Sequence, residues 1–135
     1  MSNNQNELSI PIIACNPSAI AAADRDAHVT LCKEIFSRAT VQDVKELADG
    51  YGFRLPLQTP MILKAAQYIT NERLCCSFFT FTLVVNNELW LHLTGTPEVK
   101  EVIRTDILKI LDTGDFPSLE ELQATYDATL NDGAS

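Results

Sequence analysis

The sequence lacks a long apolar run and any excess of positive charge. Its 135 residues include 10 Lys and Arg against 18 Asp and Glu, which gives a formal net charge of -8. A membrane-spanning helix needs about 18 or more apolar residues, and an acidic chain repels a phosphate backbone. We therefore expect a protein that binds neither membrane nor nucleic acid.

Catalytic and phosphate-binding motifs are also missing. The five glycines are scattered at positions 50, 52, 95, 114 and 133, so they form no glycine-rich phosphate loop. There is no nucleophile elbow and no zinc-protease helix. The sequence names no reaction, and enzymatic activity is not the expectation.

The first residues, MSNNQNELSI, contain neither a basic segment nor an apolar stretch of the kind that forms a secretory signal. We therefore predict a cytoplasmic protein. In a reducing compartment cysteines are more often free thiols or metal ligands than disulfides. This expectation applies to Cys15, Cys32, Cys75 and Cys76.

A chain of this length fits one domain with one core. We expect residues 1–7 to be flexible, 8–111 to form the core and 112–135 to form a C-terminal helical extension. Within the core, LSIPIIA at 8–14 is typical of an edge strand interrupted by Pro11. Two hairpins are predicted, at 41–57 around Asp49-Gly50 and at 77–95 around Asn86-Asn87.

Cap residues followed by proline predict three helix starts, at Asn16-Pro17, Thr59-Pro60 and Thr96-Pro97, and Ser118 is the cap expected for a fourth helix. The order of elements predicts an α+β domain with a four-stranded, mainly antiparallel sheet built from two hairpins and packed by three or four helices.

The apolar spacing predicts which helix faces are buried. In the first helix, which we place over 18–39, the stripe runs through Ala27, Leu31 and Ile35, with His28 and Cys32 one position around. In the second helix it runs through Ile62, Ala66, Ile69 and Arg73. Pairing Phe81 with His92 and Leu83 with Trp90 makes both faces of the second hairpin apolar, so we expect helices or another subunit to cover both.

Cys75 and Cys76 are adjacent at the predicted junction between the second helix and the second hairpin. Neighbouring side chains point apart in a helix or strand, so these two share one ion only at a helix end or turn. Thiolates suit thiophilic ions of the Zn, Cu or Hg class. Cys15 is the third expected ligand, and Glu72 and His92 are further ones. His28 and Cys32, four residues apart, form a separate ligand pair.

Two other interpretations stay open. The cysteines can be packing residues, because free cysteine is among the most buried residue types, and the protein is then a metal-free interaction module that binds a second copy or another protein. Alternatively, Cys75 or Cys76 is a nucleophile with His92 as its base.

The segments IACNPSAI, ERLCCSFFTF and LWLHLTGTPEVKEVI resemble a family of small bacterial proteins with an E-R-x-C-C-P-F-x-x-F signature, over about residues 10–110. Similar segments occur with metal-responsive regulators of the mercury-resistance type, and the resemblance therefore implies soft-metal handling. Ser77 stands where the signature has proline. His28 is similar to a histidine that members of the family often have in the helix corresponding to residues 18–39. The matching positions are Cys15, Glu72, Arg73, Cys75, Cys76, Phe78 and Phe81.

Overall fold

A computed structural model describes residues 13–134 and contains the expected α+β fold. One four-stranded antiparallel sheet has the strand order β1-β2-β4-β3. Each hairpin contributes two adjacent strands, and β2 joins β4 at the centre. The strands are β1 (Asp43–Leu47), β2 (Gly50–Leu55), β3 (Thr80–Val85) and β4 (Leu89–Thr94).

The first α-helix is shorter than the sequence predicts. Instead of one helix from Pro17, two 3-10 turns, Pro17–Ala19 and Ala22–Asp24, precede the α-helix, which also ends before residue 39. The prolines at 60 and 97 do lie in the first turns of their helices. The helices are α1 (Arg25–Ile35), α2 (Thr59–Cys75), α3 (Pro97–Val102), a π-helical segment (Ile103–Ile107), α4 (Leu108–Thr113) and α5 (Leu119–Ala134).

The core lies between one face of the sheet and the helices. Phe36, just after α1, packs edge-on against Phe53 of β2, and Tyr68 of α2 packs edge-on against Phe81 of β3. Val99 of α3 is also buried. Burial of such large apolar side chains is the main stabilising contribution to a domain of this size.

Both principal helices are rotated by one residue relative to the predicted stripe. In α1 the buried positions are His28, Cys32 and Ile35, while Ala27 is exposed. In α2, Ala66 and Arg73 are exposed, and the inward face is formed by Met61, Ala65, Tyr68, Glu72 and Cys75. The stripe prediction was right for Ile35. The other apolar members of the stripes, Leu31, Ile62 and Ile69, pack at the edge of the core, because polar groups occupy part of the buried face itself.

The second hairpin also differs by one residue. Phe81 pairs with Leu93 and Thr82 pairs with His92, because the connection contains Glu88 in addition to the two asparagines. This register separates the faces: Leu89, Leu91 and Leu93 are buried, whereas the intervening residues are half-buried. The prediction of two apolar faces was therefore wrong, since a one-residue slip moves every side chain to the other side of the sheet.

The first hairpin turn differs slightly from the prediction, whereas the cap of the last helix is as predicted. The first hairpin turns at Ala48-Asp49, one residue earlier than expected. Ser118 caps α5 by accepting the Glu121 N–H at 3.1 Å. The predicted strand at 8–14 lies mostly outside the described residues. Among the described helices, none combines the length and the apolar character needed to cross a membrane.

Candidate metal centre

Three sulfur atoms from two distant parts of the chain meet at the end of α2. The Sγ atoms of Cys15, Cys75 and Cys76 all lie within 4.8 Å of one another, and those of Cys75 and Cys76 are 3.8 Å apart. Cys75 and Cys76 are buried, and Cys15 is half-exposed. We call these three residues the sulfur group.

The main chain explains why these cysteines converge. The helix α2 ends at Cys75, where the Cys76 N–H still donates to the Glu72 carbonyl at 2.7 Å. The Asn16 N–H then donates to the Cys75 carbonyl at 2.8 Å and holds the segment containing Cys15 against this helix end. A helix terminus is the place where two successive side chains can face one partner.

Cys15 and Cys76 are joined by a disulfide across a sequence separation of 61 residues, with their Cα atoms 4.7 Å apart. The expectation of free thiols was wrong for this pair. The physical reason is that the Asn16–Cys75 hydrogen bond brings the two Cα atoms into the normal disulfide range. Cys32 and Cys75 keep free thiols, and both are buried.

A second set of candidate ligands lies between α1 and α2. Glu72 Oε1 is 2.7 Å from His28 Nε2, Cys32 Sγ is 3.4 Å from the same nitrogen and 3.9 Å from Glu72 Oε1. All three residues are buried, with Glu72 the most exposed of them at 9%. We call His28, Cys32 and Glu72 the mixed group.

The mixed group lies next to the sulfur group, and Glu72 is the residue between them. The Tyr68 ring stacks on His28 with centroids 5.8 Å apart, and burial followed by the Glu72 charge raises the pKa of the Tyr68 hydroxyl. Glu72 also lies one helical turn before Cys75 and Cys76, and its charge acts on the Cys75 thiol. The Glu72 carboxylate is thus a member of the mixed group and a neighbour of the sulfur group.

Burial and the Glu72 charge keep these thiols protonated. Desolvation, followed by the Glu72 charge, raises the pKa of Cys75 to about 12. The same two causes, with a contribution from Cys75, raise the pKa of Cys32 well above its usual value. A protonated thiol is a poor nucleophile, so the geometry does not favour the reactive-cysteine interpretation.

The structure does not bring His92 to either group. His92 lies on the sheet face opposite the buried leucines of β4. Its ring fills the space above Gly52, where an added Cβ would come within 2.8 Å of the ring. Desolvation and then the Lys45 charge lower the pKa of His92. Of the expected ligands, Cys15, Cys75 and Cys76 converge directly, Glu72 lies beside them, and His92 is separate.

Sequence reasoning assigned His28 and Cys32 only a minor role. Their spacing of four residues was the available signal. What it could not supply was the partner, because the predicted buried stripe of α2 ran through Arg73 and not through Glu72. The one-residue rotation of both helices is what brings the three side chains together.

Comparisons with protein-family models, with curated proteins and with solved structures found no match to this chain. The functional class therefore rests on the fold and on the two ligand groups. The chain is an α+β protein whose cysteine, histidine and carboxylate groupings can hold a metal ion.

Proposed function

We propose that this chain is a small cytoplasmic thiol protein that binds a soft metal ion through Cys15, Cys75 and Cys76 and serves as a sensor, a buffer or an accessory protein. The observation that carries the proposal is the convergence of these three sulfur atoms within 4.8 Å. Thiolates prefer thiophilic ions such as Cu⁺, and a Zn²⁺ or Hg²⁺ ion belongs to the same ligand class.

The disulfide makes metal binding dependent on the redox state. Two equivalents of a cellular thiol reduce the Cys15–Cys76 bond by thiol–disulfide exchange and are themselves oxidised to a disulfide, and this yields two cysteine thiols beside that of Cys75. The three thiols lose their protons when a metal ion binds. The oxidised protein, in which two of the three sulfur atoms are bonded to each other, does not offer this site.

The location at a helix end supports binding. Cys15 is half-exposed and provides access from the surface, while Cys76 is fully buried. A site that is reachable at one ligand and enclosed at the others can accept an ion and still exclude water from the sulfur atoms. The main-chain hydrogen bond from Asn16 to Cys75 keeps the two segments together when the disulfide is reduced.

The test is a Cu⁺ titration of the reduced protein against a competing chelator, followed by elemental analysis. We expect one Cu⁺ per chain, and we expect Cys75→Ser and Cys76→Ser to weaken binding at least roughly tenfold, because each removes a ligand. Ser77→Ala is the matched control, since Ser77 is the exposed neighbour of the pair. Equal Cu⁺ affinity in all variants would refute the proposal.

The second candidate is a metal-free interaction module that acts as a dimer. The observation in its favour is the sheet face that carries Thr82, Trp90 and His92, opposite the face packed by α1 and α2. Sedimentation equilibrium tests it. A dimer that dissociates in Thr82→Arg but not in Thr70→Arg, a substitution at an exposed position of α2, would support this function, and a monomer at all concentrations would exclude it.

A further inference from the structure

The geometry points to a second metal site, distinct from the sulfur group, in which His28 Nε2, Cys32 Sγ and Glu72 Oε1 bind a borderline divalent cation of the Zn²⁺ class. These three atoms come from two helices packed against each other and lie within 4.8 Å of one another. The site shares no ligand with the sulfur group.

The distances between the ligand atoms are within a few tenths of an ångström of those expected around one shared ion. In the structure they are 2.7 Å for nitrogen to oxygen, 3.4 Å for nitrogen to sulfur and 3.9 Å for sulfur to oxygen. A tetrahedral Zn²⁺ ion with ligands at about 2.0–2.3 Å separates its ligand atoms by about 3.3–3.6 Å. Small side-chain adjustments that widen the nitrogen–oxygen distance and shorten the sulfur–oxygen distance therefore make room for an ion.

The hydrogen bonding of His28 argues against an acid–base relay. In a relay the two ring nitrogens contact different partners, but here Glu72 and Cys32 both approach Nε2. Nδ1 is buried without a hydrogen-bond partner among the described residues. A single ring nitrogen offers one proton or one lone pair, so Nε2 cannot form a full hydrogen bond with both Glu72 and Cys32. A cation placed between the three atoms would be bound by all of them.

The ligand types select the class of ion. One imidazole nitrogen, one thiolate and one carboxylate form a mixed donor set of the kind that holds Zn²⁺, whereas the sulfur group is suited to softer ions. The Glu72 carboxylate and the Cys32 thiolate together neutralise a divalent charge. Cys32 releases its proton to water when the ion binds, and the fourth position of the ion is left for an exogenous ligand.

The oxidised protein provides the test because the disulfide removes the sulfur group from competition. Protein with an intact Cys15–Cys76 bond and two free thiols is titrated with Co²⁺, which reports thiolate ligation as a charge-transfer absorption. We expect one Co²⁺ per chain with this absorption, and Zn²⁺ should displace it. The measurement does not depend on whether the reduced protein binds Cu⁺.

Variants that conserve side-chain size identify the ligands. Cys32→Ser should remove the charge-transfer absorption, and Cys32→Ser and His28→Asn should each weaken Co²⁺ binding at least roughly tenfold. Cys75→Ser, which alters the other free thiol, should retain the absorption, and Ser77→Ala, at an exposed position outside both groups, is the matched control that should leave the affinity unchanged. Circular dichroism confirms that each variant is folded.

Two results would overturn the inference. One is a folded oxidised protein that takes up no Co²⁺. The other is a charge-transfer absorption that persists in Cys32→Ser or disappears in Cys75→Ser, which would assign the thiolate to Cys75. Loss of Cu⁺ binding in the reduced protein, with Co²⁺ binding retained in the oxidised protein, would refute the proposed function alone.

Discussion

The sulfur group and the mixed group lie side by side at the C-terminal end of α2, but the fold assembles them differently. The sulfur group joins a helix end to the segment before α1 through one main-chain hydrogen bond and one disulfide. The mixed group joins the inward faces of two helices through side-chain contacts alone. A covalent bond thus secures the group that reaches the surface at Cys15, and packing secures the group that is buried throughout.

This difference indicates what each group responds to. The sulfur group changes with the redox state, because breaking one bond converts a crosslink into a set of ligands. The mixed group responds to the packing of α1 on α2, since its three atoms have no covalent connection.

Glu72→Ala is expected to have the largest effect on stability. It leaves the His28 ring buried without its carboxylate partner, and removing one partner of a buried ion pair costs about 3–5 kcal/mol of unfolding free energy. Urea unfolding measures the change, with Glu120→Ala, an exposed position, as control. A loss below about 1 kcal/mol would mean that the carboxylate does not hold the mixed group together.

Reducing the Cys15–Cys76 disulfide should have the second-largest effect. The bond closes a long loop, with a separation of 61 residues, and removing such a constraint typically lowers the free energy of unfolding by about 2–4 kcal/mol. Unfolding with and without a reductant measures this loss. Cys15→Ser should behave as the reduced protein does under both conditions, and Cys75→Ser should keep the sensitivity to the reductant.

Alkaline pH should destabilise the fold through Cys75. Its pKa is raised to about 12 in the folded protein, so the thiol stays protonated there while it ionises in the unfolded chain above about pH 9. Stability is therefore fully present below about pH 9 and declines as the pH rises toward 12, by up to about 1.4 kcal/mol per unit.

Urea unfolding at a series of pH values checks this decline, with Cys75→Ala as the comparison. The variant should show a shallower decline than the wild type, because it lacks the Cys75 thiol. Some decline should remain, since burial also raises the pKa values of Cys32 and Tyr68. Identical slopes would show that Cys75 is not the group responsible.

The smallest effect is expected for His92→Gln. The ring lies on the opposite face of the sheet from the helices, so its replacement should change the Cu⁺ affinity of the reduced protein less than about twofold, whereas loss of a true ligand weakens binding by about tenfold or more. The same competition titration measures both. A tenfold loss would place His92 among the ligands and would contradict the separation described here.

The elements of the fold follow from local signals, but the orientation of the helices does not. Proline and cap residues gave the starts of α2 and α3, and alternation gave the two hairpins. The inward faces were missed because Glu72 and His28 satisfy each other when buried, and a single sequence does not reveal such a pair. Hydrophobicity alone places each of them outside.

The sequence predicted only part of the candidate site, because it does not reveal contacts between residues far apart in the chain. The adjacent pair Cys75-Cys76 marks itself in the sequence, and its position at a helix end follows from the neighbouring elements. Cys15 was included because it precedes a helix start, but nothing in the sequence indicated its bond to Cys76. His92 was included for its chemistry alone, and the one-residue register of β4 placed it on the far face.

By itself the sequence determined the α+β architecture, the two hairpins and the location of a cysteine pair at the junction of a helix and a strand, because these depend on contacts between residues close in the chain. Only the tertiary structure decided which sulfur atoms meet and which carboxylate they meet beside. Those contacts depend on the rotation of α1 and α2 about their axes, and mutual satisfaction of buried polar groups fixes that rotation.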